Sequence, residues 1–245
     1  GLGDVYKRQF VIHCLNAAFS QNCQGSMEQW QINGALSALK DTDAAVRGMA
    51  LETLGGNGCG FEVVIDSLEV RLEHDEPSVR AYAAWGLLNI NSDNQKAVTE
   101  LVSIVKETPT TFTGVLLREN LVTHSSAIMP TNMEMANCLM EIAKNENENI
   151  QIRKTAVASL AVFATNLDEA ANFLEQIATP NYETVVGTEA IYGLCKMLPE
   201  QCHFINPVLN QLKADTLPTN SIEGMFAEKL ISAVTSSRPD ILQQL

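Results

Sequence analysis

The chain has 245 residues, of which 46% are hydrophobic and 18% charged, a balance typical of a folded protein rather than a disordered one. Lys and Arg number 16 against 29 Asp and Glu, and the resulting net charge of −13 disfavours nucleic acid as a partner. An acidic surface of this size favours cationic partners or serves solubility alone. No run approaches the roughly 20 consecutive apolar residues of a membrane-spanning helix, so we do not expect a membrane partner.

The six cysteines indicate neither a disulfide framework nor a zinc ribbon, because no C-x-x-C pair occurs in a chain of this length. They are Cys14, Cys23, Cys59, Cys138, Cys195 and Cys202. We therefore expect small core side chains in a reducing compartment, which favours a cytoplasmic location.

The two ends of the chain suggest a fragment. Residues 1–9 (GLGDVYKRQ) resemble translated sequencing adapter, and we interpret them as a non-native translation artefact. The following run, Phe10–Phe19, has helical spacing and is interpreted as the last helix of an earlier repeat, with a worn signal-peptide core as the alternative. Residues 10–245 are predicted to form a single helical array that is truncated at both ends, since a new helix begins near Pro239 as the sequence stops.

An internal repeat runs through the chain. An aliphatic residue recurs at intervals of 33 to 38 residues, with a small or apolar residue four and eight positions later in most cases. The six anchor residues are Val46, Val79, Leu117, Ile152, Val186 and Ile222. Because offsets of 0, +4 and +8 share one face of an α-helix, each anchor is predicted to begin a helix, which we call helix B.

An amphipathic run precedes each helix B and predicts a second helix, called helix A, as in residues 61–72 and 167–177. Turns between these helices are predicted at 55–60, 108–111, 145–149 and 217–218. The glycine-rich segment 55–60 lacks both the Lys and the preceding strand of a phosphate-binding loop. We therefore interpret it as a flexible turn between helices.

The segments 43–47 (DAAVR) and 76–80 (EPSVR), each followed by a small residue at +4 and Leu at +8, resemble the consensus of HEAT repeats, including the short bacterial type. The resemblance extends over residues 27–234. It implies an all-α fold, a right-handed α-solenoid of about six antiparallel helix pairs. It also implies structural roles for the residue three before the anchor and for the Arg after it, which tie adjacent turns together. The residues in these positions are Asp43 with Arg47, Glu76 with Arg80, Asn149 with Arg153, and Arg118.

No residue pattern supports catalysis, a cofactor or a metal. The four histidines are dispersed, and none is followed by Glu as in HEAT-repeat enzymes that bind two irons. No H-E-x-x-H sequence and no nucleophile elbow occurs. Thiol or metal chemistry at Cys195, Cys202 and His203 is conceivable, but their predicted helical positions favour structural thiols. We predict a protein that is not an enzyme.

The face of helix B opposite to its buried stripe carries offsets +2, +3 and +6, and this face lines the concave side of HEAT arrays. Tyr82 and Trp85 lie one turn apart on it, beside Met49 and Glu52 of the preceding repeat. An aromatic pair next to carboxylates suits a Lys or Arg side chain of a peptide. In the alternative interpretation, Trp85 packs between neighbouring B helices and serves only stability. The predicted partner-binding residues are Met49, Glu52, Tyr82, Trp85, Glu189, Tyr192 and Glu228.

These features predict a non-catalytic scaffold that binds a protein or peptide of basic character on the concave face of the B helices. A first alternative is an accessory subunit of an enzyme, which the resemblance to bilin-lyase HEAT-like chains implies. A second is the repeat platform of a larger enzyme whose catalytic domain lies elsewhere in the full-length protein.

Overall fold

The computed structural model describes residues 27–74, 76–107, 112–178, 184–213, 222–237 and 239. The expectations for residues 1–9, for Phe10–Phe19 and for the final segment after Pro239 lie outside the described residues. Within the described part, no helix is both long enough and apolar enough to cross a bilayer.

The described residues form twelve α-helices and one 3-10 helix, and they contain no strand. The helices are α1 (Gln29–Ala38), α2 (Ala44–Asn57), α3 (Glu62–His74), α4 (Pro77–Ile90), α5 (Gln95–Lys106), α6 (Phe112–Ile128), α7 (Met133–Lys144), α8 (Ile150–Phe163), α9 (Asp168–Ala178), α10 (Val185–Met197), the 3-10 helix (Pro199–Ile205), α11 (Asn206–Lys213) and α12 (Ile222–Ser237). The odd-numbered helices are the predicted A helices, and the even-numbered helices are the predicted B helices.

The chain divides into two compact units, Gly1–Met129 and Pro130–Leu245. In the first unit, α1 packs on α2, α3 on α4 and α5 on α6, and the B helices α2, α4 and α6 contact one another in that order. In the second unit, α7 packs on α8, α9 on α10 and α11 on α12, and the B helices α8, α10 and α12 again contact in order. The predicted all-α architecture of stacked helix pairs is confirmed.

Three B helices, α2, α4 and α8, begin where the repeat spacing predicts, whereas α6 begins at Phe112, five residues before its anchor Leu117. Asp43 precedes α2 and its Oδ1 accepts a hydrogen bond from the Ala45 amide at 2.8 Å, which satisfies a free donor of the first turn. Asn149 does the same for α8, where its Oδ1 accepts from the Gln151 amide at 2.8 Å. In α4 the first helical residue is Pro77, whose missing N–H is not needed at that position.

The helix register follows the repeat closely at its +8 position, where every side chain is at most 1% exposed. These residues are Leu54, Leu87, Ser125, Leu160, Leu194 and Leu230. The +4 residues Ala50, Ala83, Leu121, Ala156 and Ala190 are buried as well. Since a buried Leu contributes about 1.5–3 kcal/mol relative to an exposed one, this column forms the centre of the core in each unit.

The glycine-rich segment differs from its prediction as a turn. Helix α2 continues through Gly55 and ends at Asn57, so the turn to α3 begins only at Gly58. Gly55 is buried and faces Gly86 of α4, and a Cβ placed on Gly86 would lie 3.1 Å from the Gly55 Cα. The absence of a side chain at Gly55 therefore permits close helix packing rather than a flexible turn.

The expectation that all cysteines are reduced core side chains is wrong. Cys195 and Cys202 form a disulfide that joins the end of α10 to the 3-10 helix. Their Cα atoms lie 4.1 Å apart. Cys59 is disulfide-bonded as well, whereas Cys138 is buried and is not part of a disulfide. The reason is geometric: the chain reverses after Met197 and brings two cysteines together that the sequence separates by 7 positions. The cytoplasmic location was inferred from reduced cysteines, and these disulfides remove that argument.

Two of the repeat arginines bind the carbonyl end of the A helix before them. Arg118 Nε donates to the Val105 carbonyl at 2.6 Å, and Arg153 Nε donates to the Ala143 carbonyl at 3.0 Å. Because the last carbonyls of an α-helix lack partners inside the helix, these guanidinium groups satisfy acceptors that would otherwise depend on water.

Arg47 acts in the same way on the turn after α1, where its Nη1 donates to the Asp41 carbonyl at 3.0 Å and to the Thr42 carbonyl at 3.1 Å. Arg80 forms an ion pair with Glu100 of α5, with 2.6 Å between Nε and Oε1. Arg47 Nη2 also lies 3.9 Å from Glu76 Oε1, so the arginine bonds reach a neighbouring helix or turn.

Candidate binding face of the B helices

The structure buries the aromatic pair that was predicted to face a ligand. Tyr82 is 4% exposed and Trp85 is 6% exposed. Helix α4 contacts α2 and α6 on its two sides as well as α3 and α5, which widens its buried surface beyond the 0, +4, +8 stripe. A Cβ on Gly48 of α2 would lie 3.0 Å from the Tyr82 ring, so a glycine in the neighbouring helix makes room for this ring. The expected exposure was wrong, and the position of Trp85 agrees with the alternative interpretation of a stabilising core residue.

The remaining predicted residues of the first unit lie apart from an aromatic surface. Met49 is 49% exposed on α2, and Glu52 is half-buried one turn further along. With Tyr82 and Trp85 in the core, these two side chains do not complete the predicted aromatic and acidic site.

In the second unit, Glu189 and Tyr192 line a cleft of about 270 Å³ between B helices. The other lining residues are Lys154, Val185, Thr188, Lys229, Leu230 and Ala233. Helix α10 contributes offsets +2, +3 and +6, which are the positions predicted to face away from its buried stripe. Helix α12 supplies Lys229, Leu230 and Ala233 on the opposite wall, and α8 supplies Lys154.

Some charged groups in and beside the cleft already have a partner within the described part of the chain, and one does not. Lys154 Nζ lies 3.4 Å from Glu189 Oε2, and the Glu189 side chain is only 15% exposed. Lys196 Nζ lies 5.7 Å from the centre of the Tyr192 ring, within the range of a cation–π contact. Lys229 is exposed and has no hydrogen-bond or ion-pair partner among the described residues. Glu228, the last predicted site residue, is exposed next to Lys229 but does not line the cleft.

Part of the first unit is similar to a known protein family. Residues 32–113 match the family model of HEAT repeats. Within this segment the chain is similar to HEAT repeats. The match begins within α1 and ends at the start of α6, so it covers the two repeats in which the DAAVR and EPSVR segments occur. HEAT repeats generally serve as scaffolds for protein interactions. No curated protein matches the chain.

Lys154, Thr188 and Lys229 were not among the residues predicted for the HEAT-repeat binding face. Lys154 and Thr188 occupy offset +2, which belongs to the same open face as +3 and +6, so the periodicity contained a signal for both. Lys229 occupies offset +7, and its place in the cleft depends on how α12 packs against α10, which the spacing alone does not reveal.

A larger depression of about 420 Å³ lies between the A helices α1 and α3 of the first unit. Asp66, Lys40 and Arg71 are among its lining residues, and Arg71 Nη2 donates to the Leu39 carbonyl at 2.6 Å. Arg71 therefore helps to hold the end of α1. Across the part of the chain that the structure describes, no group of three or more His, Cys, Asp or Glu side chains is arranged to hold a metal ion.

Proposed function

We propose that this HEAT-repeat protein is a non-catalytic scaffold that holds a segment of a partner protein in the cleft between α10 and α12. The observation that supports it is the cleft itself, which three B helices form and which contains two residues of the predicted binding face, Glu189 and Tyr192. HEAT repeats generally act as interaction scaffolds, which agrees with this role.

The size of the cleft favours a peptide side chain over a cofactor. Small-molecule sites usually enclose roughly 300–1,000 Å³, and this cleft of about 270 Å³ lies at the lower limit. Val185, Leu230 and the Tyr192 ring offer apolar walls, while Thr188 and the charged groups offer polar contacts. Such a surface suits one or two side chains of an extended or helical segment.

The surface extends from the cleft along α12. Met225 is 65% exposed and lies four residues before Lys229, so both side chains share one face of the helix. An exposed Met is a flexible apolar contact that adapts to different partners. A bound segment could therefore contact Met225 after it leaves the cleft.

A substitution that fills the cleft tests this function. Peptides selected from a display library against the wild-type protein are expected to bind the Thr188→Trp variant at least about tenfold more weakly, a loss of about 1.4 kcal/mol. Thr99→Trp places the same side chain at an exposed position on α5 and should leave binding unchanged. Far-ultraviolet circular dichroism checks that both variants are folded. Selected peptides that bind Thr188→Trp as tightly as the wild type would contradict the proposed site.

A further inference from the structure

We propose that the cleft between α10 and α12 selects an acidic side chain, Asp or Glu, of the bound segment, with Lys229 as its principal partner. This inference rests on the proposed function, since it names the chemistry of the ligand in that same cleft. It departs from the cationic partner that the net charge of −13 favours.

The carboxylate of the cleft is already engaged. Glu189 lies 3.4 Å from Lys154 Nζ, and the Glu189 side chain is largely buried. A cationic side chain entering the cleft would have to compete with Lys154 for this carboxylate. It would also approach the ammonium group of Lys229 on the opposite wall. A like charge at this range is repelled, and the repulsion is strongest where water is partly excluded.

The charged side chains that line the cleft carry one more positive than negative charge. Two lysines, Lys154 and Lys229, line the cleft against the single carboxylate of Glu189. Lys196 adds a third positive charge beside the Tyr192 ring. Lys229 is exposed and has no ion-pair partner among the residues that the structure describes. An acidic ligand side chain would supply the missing partner.

The nearest exposed carboxylate on α12 does not fill this role. Glu228 precedes Lys229 directly, and consecutive side chains on a helix point about 100° apart, so they do not face each other. Glu228 is exposed and does not line the cleft, whereas Lys229 does. Because charges beyond the Debye length of about 8–10 Å are screened at physiological salt, the local lysines outweigh distant carboxylates inside the cleft.

The apolar walls strengthen this preference and add a second requirement. Val185, Leu230 and the Tyr192 ring lower the local polarity around Lys229. An ion pair is stronger in such surroundings than in open water. The preferred segment therefore carries an acidic residue next to an apolar one, so that the carboxylate meets Lys229 while the apolar side chain covers the walls.

Three blocked tripeptides test the charge preference: leucine–glutamate–leucine, its glutamine counterpart and its lysine counterpart. Their binding to the full chain is followed by shifts of the backbone amide signals of Thr188, Tyr192 and Lys229 in NMR spectra. The acidic peptide is expected to bind about fivefold more tightly than the glutamine peptide, the upper range for a partly exposed ion pair. The lysine peptide is expected to bind most weakly.

The variant Lys229→Gln is expected to reduce the preference for the acidic peptide to less than about twofold. Lys96→Gln makes the same change in net charge at an exposed position on α5 and should preserve the preference. If the acidic and glutamine peptides bind alike but Thr188→Trp weakens both, the cleft is a peptide site without acidic selectivity and this inference fails alone. If none of the peptides shifts the cleft signals, both this inference and the proposed function fail.

Discussion

Gly55 of α2 and Gly86 of α4 bring two B helices into backbone contact, because a Cβ on Gly86 would lie only 3.1 Å from the Gly55 Cα. Gly48, two turns earlier on α2, lies in the same way against the Tyr82 ring. Three glycines therefore set the distance between these helices. This close approach explains why the Tyr82 ring of α4 is covered rather than open to a ligand.

The first prediction concerns this contact. The variant Gly55→Ala is expected to lower the free energy of unfolding by about 1–3 kcal/mol, the usual cost of overpacking. The matched control is Gly34→Ala in α1, where an added Cβ would meet nothing within 4 Å. There the better helix propensity of Ala should raise stability by up to about 1 kcal/mol. Urea denaturation measures both, and equal stabilisation by the two substitutions would contradict the close approach.

The second prediction separates stability from binding at the buried aromatic pair. The variant Trp85→Ala is expected to cost about 3–5 kcal/mol of unfolding free energy because it leaves a cavity in the core. The exposed Met49→Ala should change stability by no more than about 0.5 kcal/mol. Chemical denaturation compares them. A Trp85→Ala protein of wild-type stability that binds peptides more weakly would instead restore Trp85 to the binding face.

The third prediction addresses the Cys195–Cys202 disulfide. Replacing both cysteines by Ala is expected to cost about 2–3 kcal/mol, the loop-entropy value for a short closed loop. Urea denaturation measures the loss, and peptide mapping without reduction should recover the two cysteines in one linked fragment. Free thiols at both positions in the folded protein would contradict the disulfide.

The fourth prediction concerns pH. Burial lowers the pKa of His124 below its ordinary value because desolvation disfavours the charged imidazolium. At a pH between the folded-state pKa and the unfolded-state pKa of His124, the unfolded chain binds more protons than the folded chain. The free energy of unfolding should therefore be highest above about pH 6.5. It should decline as the pH falls through the lower, folded-state pKa. In denaturation curves from pH 8 to pH 5, His124→Gln is expected to show a shallower decline than the wild type. An identical decline would mean that His124 does not contribute.

The repeat spacing predicted the helix pairs, the starts of α2, α4 and α8 and the buried +8 column, because these depend on periodicity within single helices. Burial of Tyr82 and Trp85 depends on packing between helices, and in the case of Tyr82 a glycine of α2 makes room for the ring. Likewise, the single-helix pattern pointed to Glu189 and Tyr192, but the position of Lys229 opposite them follows from the contact between α10 and α12. Contacts between helices were thus harder to predict than faces of one helix.

The bonds from Arg118 to the Val105 carbonyl and from Arg153 to the Ala143 carbonyl define which pieces of this chain can be exchanged with those of another repeat protein. Each bond joins the A and B helices of one pair. A chimera cut between the two helices would separate the guanidinium from its carbonyl, and Arg118, only 6% exposed, would be left as a buried charge without that acceptor. A chimera cut after a B helix keeps donor and acceptor in one segment. The transferable module of this protein is therefore the complete A–B pair.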